Sequence, residues 1–268
     1  MPFFTDQTGR QISLEQNPVR IISLVPSQTE LLYHLGLDEE VIGITKFCVH
    51  PNEWFRNKTR IGGTKQIHID AVHRLQPDFI LANKEENVKD QVETLERDFP
   101  VWVSDVNTLE DACSMIRSIG EITGKAEPAM NMALRIQQQF ELLELSFDKS
   151  KAPLHTAYLI WKDPYMTIGN DTFIHDMLTR CGLENIFASQ KRYPVVSIEQ
   201  LRAEADISRL QLLLLSSEPY PFAQKHLEEL QPLLPGIKIM LADGEMFSWY
   251  GSRLLQAPAY FQKLREMI

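Results

Sequence analysis

Three aromatic rings fall within four residues at Phe247-Ser-Trp-Tyr-Gly, and Phe47, Trp54, Trp161, Tyr165 and Tyr193 stand in segments rich in turn formers. Large rings in connections either staple a loop or wall a pocket for a flat, partly apolar ligand. For Phe247, Trp249 and Tyr250 the pocket is the favoured reading, because three rings so closely spaced between a strand and a helix are not expected all to point inward. Covalent chemistry has no comparable signal. The chain has no Gly-x-Ser-x-Gly elbow, no Gly-x-Gly-x-x-Gly after a strand, no Walker loop and no His-Glu-x-x-His. A hydrolase, an NAD enzyme and an NTPase of the usual kinds are disfavoured, and a protein that binds rather than converts is expected.

The seven histidines are dispersed, and neither His68 with His73 nor Cys48 with His50 has the spacing or the repeated partner of a metal site. No metal site of the protein's own is expected, although His50 stands in a loop after a strand. Cys48, Cys113 and Cys181 lack Cys-x-x-Cys spacing and read as small buried hydrophobes. Gly62-Gly63-Thr and Gly182-Leu-Glu-Asn read as turns.

With 268 residues, 44% hydrophobic and 24% charged, the sequence has the make-up of a globular protein large enough for two domains. A formal charge of −9 argues against nucleic acid and anionic membranes as partners. No apolar run approaches the roughly 18 residues that span a bilayer. The opening MPFFTDQTGRQISL has neither the basic start nor the apolar stretch of a secretory signal. The protein is therefore expected either in the cytoplasm or as a mature form whose signal has been removed.

The elements that would position these residues alternate. RIISLV (20–25) reads as a strand, followed by Ser27-x-x-Glu30 as a capping box for a helix closed by Gly36. Strands at 41–45 and 100–104 alternate with helices at 87–98 and 108–124, and 69–82 holds a short helix and then a strand, separated by Pro77. After position 150 the pattern restarts: strands at 154–161, 211–217 and 236–243, with helices at 172–182, 196–206, 221–230 and from about Ser252 onward. Such alternation predicts largely parallel sheets covered by helices. Between the blocks, Pro128 to Phe147 carries an apolar stripe of Ala129, Ala133, Ile136, Phe140, Leu143 and Phe147, the interval of one helix face. A helix of this length reaches roughly 30 Å. The expected organisation is an N-terminal α/β lobe (1–125), a connecting helix (126–149) and a C-terminal α/β lobe (150–268).

One internal echo has functional weight. Ile69-Asp70 opens a helix that feeds FILA, and Ile198-Glu199 opens one that feeds LLLL. A carboxylate at a helix N-terminus is favourable by itself. A matched pair, one per lobe, also suits a two-fold partner with basic sockets.

RIISLVPSQTELLYHLGL resembles the start of the substrate-binding proteins of ABC importers that have a helical backbone and carry cobalamin, siderophores or haem. The likeness continues in Val41-Ile-Gly-Ile-Thr, His50-Pro, Ile61-Gly-Gly, LQPDFILA, VSDVNTLED, TFIHDMLTRCGLENIF and YPVVSIEQL, and the cobalamin-binding branch fits best. The resemblance implies two Rossmann-like α/β lobes joined by one long helix, a ligand cleft between them and little hinge motion. It implies a non-enzymatic, monomeric periplasmic receptor without a cofactor of its own, whose ligand is a corrinoid or another metal chelate. Ligand contacts would fall on Phe47, Thr64, Asn83, Trp161, Tyr193, Glu245, Phe247 and Trp249, and the acids docking onto the permease on Asp70 and Glu199. Aromatic residues common in cobalamin binders are replaced at Thr64 and Asn83, which makes that wall more polar. The alternatives are a siderophore or haem binder and a cytosolic cofactor-handling protein or enzyme on the same scaffold.

Overall fold

The computed structural model describes residues 2–148, 150, 152–207 and 209–268, so that the expected boundary residue Lys149 lies outside the described residues. The chain forms two compact units. The first comprises 1–106, 110–137 and 249–255, and the second 107–109, 138–248 and 256–268.

In the first unit a hairpin of β1 (Phe3–Thr5) and β2 (Gln11–Ser13) precedes β3 (Ile21–Ser23), α1 (Pro26–His34), β4 (Val41–Ile44), α2 (Asn52–Asn57) and β5 (Thr59–Arg60). Then come α3 (Ile69–Leu75), β6 (Phe79–Asn83), α4 (Lys89–Glu96), β7 (Val101–Ser104) and α5 (Leu109–Ile122). The five strands pair in parallel in the order β5-β4-β3-β6-β7. Every residue of β3, β6 and β7 is buried, as continuous apolar strands covered on both faces must be.

The second unit contains β8 (Leu154–Leu159), α7 (Phe173–Arg180), β9 (Leu183–Asn185), α8 (Ile198–Asp206), β10 (Leu212–Ser216), α9 (Gln224–Leu230), β11 (Lys238–Ala242) and α10 (Gly244–Ser248). It closes with α11 (Ala257–Glu266). Its parallel order β11-β10-β8-β9 repeats the arrangement β7-β6-β3-β4 of the first unit, strand for strand. The helix after each unit's first central strand ends at a left-handed glycine, Gly36 (φ 74°) and Gly182 (φ 72°), where a Cβ would be strained. On β8 and β10 the alternation of side chains sends Ala157, Leu159, Leu213 and Leu215 into one core with Phe222 and Leu230. Tyr158 points to the other face and meets Phe247 at 5.1 Å, and Phe247 meets Phe261 at 4.6 Å.

The helix α6 (Ala126–Leu145) runs through the boundary between the two groups of residues. Its stripe is buried as the spacing predicts, with Ala129, Ala133 and Ile136 at 0% exposure, Phe140 at 1% and Leu143 at 5%. It begins two residues before Pro128 and ends at Leu145. Proline is tolerated there because the amides of a first helical turn have no intrahelical acceptor. Phe147 therefore lies beyond the helix, with the Arg265 guanidinium 4.2 Å from its ring centroid.

Several local expectations are corrected. Ser27 is not a cap: Pro26 already stands inside α1, Val25 is the extended N-cap residue, and no side chain caps the helix. Gly182-Leu-Glu-Asn is not only a turn, because Leu183–Asn185 is β9, paired in parallel with β8. The final helix is preceded by a 3-10 turn, Ser252–Leu255. The three cysteines are buried, as expected.

Candidate functional site

Open parallel sheets bind ligands beyond the carboxyl ends of their strands, where the order of strands reverses. In the first unit the loops after β3, β4, β5 and β6 meet at that edge. Phe47 follows β4 and is 51% exposed. Its ring lies over the glycine pair that follows β5: a Cβ on Gly63 would come within 3.0 Å of it, and the Lys46 ammonium lies 5.1 Å from its centroid. Gly62 has φ 104° and would bring a Cβ to 2.3 Å from the Gln66 carbonyl oxygen. Only glycine permits this turn, and the turn presents the ring.

Thr64 is 7% exposed. Asn83 is 2% exposed, and its amide is fully engaged. Its Oδ1 accepts from the amides of Glu85 (2.8 Å) and Glu86 (2.9 Å), while Nδ2 donates to the Ser104 Oγ (2.9 Å) and carbonyl (3.2 Å). Asn83 is thus an internal brace of the edge rather than an available contact. Asn87, which has no sequence signal beyond its place before a helix, performs the wider bracing. Its Oδ1 accepts from the Asn83 amide at 2.8 Å, and its Nδ2 reaches the carbonyls of Thr64 (3.1 Å) and Leu24 (3.4 Å). One side chain joins three loops. Nearby, burial pushes the Glu86 carboxyl above its usual range, with Lys65 opposing the shift.

Trp249 also belongs to the first unit. It is 6% exposed, with the His50 ring 5.6 Å away in a T-shaped arrangement and the Arg253 guanidinium 5.0 Å over its indole. Arg253 is held in turn by Glu30 of α1, through Nη2 to Oε1 at 2.7 Å and Nε to Oε2 at 3.1 Å. Trp54 is 1% exposed and donates to Asp38 at 2.6 Å. It is a packed ring.

In the second unit Trp161 follows β8 and is 41% exposed, with Tyr220 at 5.8 Å. Bridges run from Trp161 to Met166 and from Met166 to Val195, and so bring the Tyr193 segment beside the Trp161 segment. Tyr193 is partly buried, with the Arg192 guanidinium 5.6 Å from its ring. Glu245, in the first turn of α10, lines a cavity of ≈ 450 Å³ with Ser217, Glu218, Phe222 and Asp243 beyond the ends of β10 and β11.

The aromatic cluster differs from expectation. Phe247, Trp249 and Tyr250 are all buried, at 0%, 6% and 7% exposure. The three are not in one core, because the chain passes from the second group of residues to the first after Ser248. Phe247 fills the core of the second unit against Tyr158, whereas Trp249 packs on His50 in the first. Phe247 is accordingly a wall of the interior and offers no ring face.

Asp70 and Glu199 are each the second residue of a helix, α3 and α8, and both are exposed. The two helices lead into β6 and β10, which hold the same place in the two sheets. Glu199 is held below the usual carboxylate range by its own backbone amide and by Ser197, which also caps α8. Among the described residues no three His, Cys, Asp or Glu side chains converge as metal ligands, and no helix is long and apolar enough to cross a membrane.

The family described as periplasmic binding protein matches residues 21–219. A vitamin B12-binding protein of Pectobacterium atrosepticum is 30% identical over 190 residues, 69% of this chain and 68% of the relative. One of Pectobacterium carotovorum is 28% identical over 243 residues, 90% of this chain and 86% of the relative. The crystal structure of the periplasmic vitamin B12-binding protein of Vibrio cholerae superposes with a TM-score of 0.75 at 21% identity, covering 93% of this chain and 99% of that one.

Proposed function

Because the chain belongs to the periplasmic binding protein family, we propose that it captures a cobalamin-like corrinoid and delivers it to the permease of an ABC importer. It is a binding protein and not an enzyme, as its family is. The observation that carries the corrinoid reading is the exposure of Phe47 and Trp161, one large ring beyond the carboxyl end of a strand in each unit. A corrin macrocycle presents broad apolar faces and a rim of amides, which such rings and a few polar groups can hold. Relatives named for vitamin B12 binding support the same ligand class.

In the first unit the contacts are Phe47, Thr64 and Trp249, with Asn83 acting from beneath. In the second they are Trp161, Tyr193 and Glu245, with Phe247 supporting Tyr158 and α10. The metal enters within its chelate. Asp70 and Glu199, exposed at equivalent helix starts, dock onto basic residues of the permease. The protein works as a monomer in the periplasm or cell envelope.

Titration with cyanocobalamin, haem and a ferric siderophore, read through quenching of the four tryptophans, tests this reading. Saturable quenching by cyanocobalamin at the lowest concentration is the expected result. Preference for haem or the siderophore would move the protein to another ligand class, and no quenching by any of the three would sink the receptor reading.

A further inference from the structure

Trp249 is held by groups that the aromatic pattern of the sequence gave no reason to connect. The Arg253 guanidinium lies 5.0 Å over its indole and the His50 ring stands 5.6 Å from it. Arg253 forms a bidentate pair with Glu30, and the two side chains are only 11% and 8% exposed. Glu30 lies in α1, 223 residues earlier in the chain. A second contact fixes the same segment: a Cβ on Gly251 would stand 2.7 Å from the Ser27 carbonyl oxygen and 3.4 Å from the Leu31 Cβ, so its backbone lies directly on α1.

A planar guanidinium pinned by two hydrogen bonds has one orientation, and an aromatic face beneath it is held by attraction to the ring quadrupole. We propose that Glu30, acting through Arg253, is a positioning residue that sets the orientation of Trp249 for ligand binding. The proposal rests on the corrinoid-receptor reading above, and its test separates the two. Glu30 itself touches no ligand. Its carboxylate fixes the guanidinium, the guanidinium fixes the indole, and Gly251 lets the segment lie close enough for both.

Removing one partner would leave a buried charge uncompensated, whereas replacing both by apolar side chains of similar volume is often tolerated. The experiment therefore compares wild type, Arg253→Lys and the double variant Glu30→Met/Arg253→Met, each carrying 5-fluorotryptophan. The ¹⁹F resonance of Trp249, assigned by Trp249→Phe, is read without ligand, and cyanocobalamin affinity is measured in parallel. The double variant is expected to fold, to shift the Trp249 resonance and to bind cyanocobalamin about tenfold more weakly, the scale of a desolvated cation–π contact. Arg253→Lys, which keeps a cation but not the fork, should fall between.

A double variant with the wild-type resonance, or with a moved resonance but wild-type affinity, overturns the proposal. Should the double variant not fold, the same two readouts on Arg253→Lys decide it by the same criteria. If wild type itself fails to bind cyanocobalamin, the functional reading fails. The ¹⁹F resonance then decides whether Glu30 and Arg253 orient Trp249, and an unchanged resonance would overturn that too.

Discussion

Asn83→Ala should cost stability and leave ligand affinity nearly intact. The side chain is 2% exposed and makes four hydrogen bonds within the first unit. Its two donor contacts are replaceable in part, because the Ser104 carbonyl also accepts from the Lys84 amide at 2.9 Å and the Ser104 hydroxyl also meets Gln28 Nε2 at 2.5 Å. On the acceptor side the amides of Glu85 and Glu86 both lose Oδ1. A buried donor left unmade costs about 1–3 kcal/mol, and these two are only partly buried, so a total of roughly 2–3 kcal/mol is expected. Urea unfolding followed by circular dichroism should show that loss, with a melting temperature lower by roughly 5–10 °C for a chain of this size. Affinity for cyanocobalamin, measured on the folded fraction, should change by less than about threefold, since the amide is committed to the loop. Wild-type stability together with a large loss of affinity would refute the reasoning, because it would mean that Asn83 meets the ligand directly.

Phe47→Ala and Trp161→Ala should each weaken cyanocobalamin binding by about 30-fold, corresponding to about 2 kcal/mol for an aromatic anchor, with little change in urea midpoint; unchanged affinity in calorimetry for both would remove the ring-stacking account. Asp70→Ala/Glu199→Ala should keep affinity and abolish uptake in cells, and normal uptake would refute the docking role. Burial raises the thiols of Cys48 and Cys181, the latter pushed up to about 12 from an ordinary 9.0. The unfolded chain therefore loses those protons first, and stability should be unaffected by these groups below pH 9 and fall as pH rises from there toward about 12. Cys181→Ala should flatten that decline, which unfolding midpoints at pH 8 and pH 10 will register.

The sheets were legible because β3, β6 and β10 are continuous apolar runs and because α6 carries an unbroken stripe whose buried residues match its spacing. The elements that escaped, β1, β2, β5, β9, α2 and α10, have between two and six residues, too few for periodicity to register. At the site, Phe47 and Trp161 could be picked out because large rings beside turn residues are unusual, and both are exposed. Phe247 was misplaced because a local window cannot show that the chain changes core after Ser248. Glu30 read as half of a capping box for the same reason, since its partner Arg253 lies at the far end of the sequence. Asn87 could not be seen at all, because its partners lie 4, 23 and 63 positions earlier in the chain.

The excursion of Trp249–Leu255 bears on how the protein is made. On a ribosome the strands of the first unit are all synthesised before position 106, yet the segment that supplies Arg253 emerges only after every strand of the second unit. Until then Glu30 faces its helix surface without its cation, and the groove of α1 that receives Gly251 stands open. A fragment of residues 1–137, however long its sheet is given to settle, lacks that closing piece. The two units therefore cannot be cut apart at a single point, and the order of synthesis requires the first to wait for the second before its core is sealed.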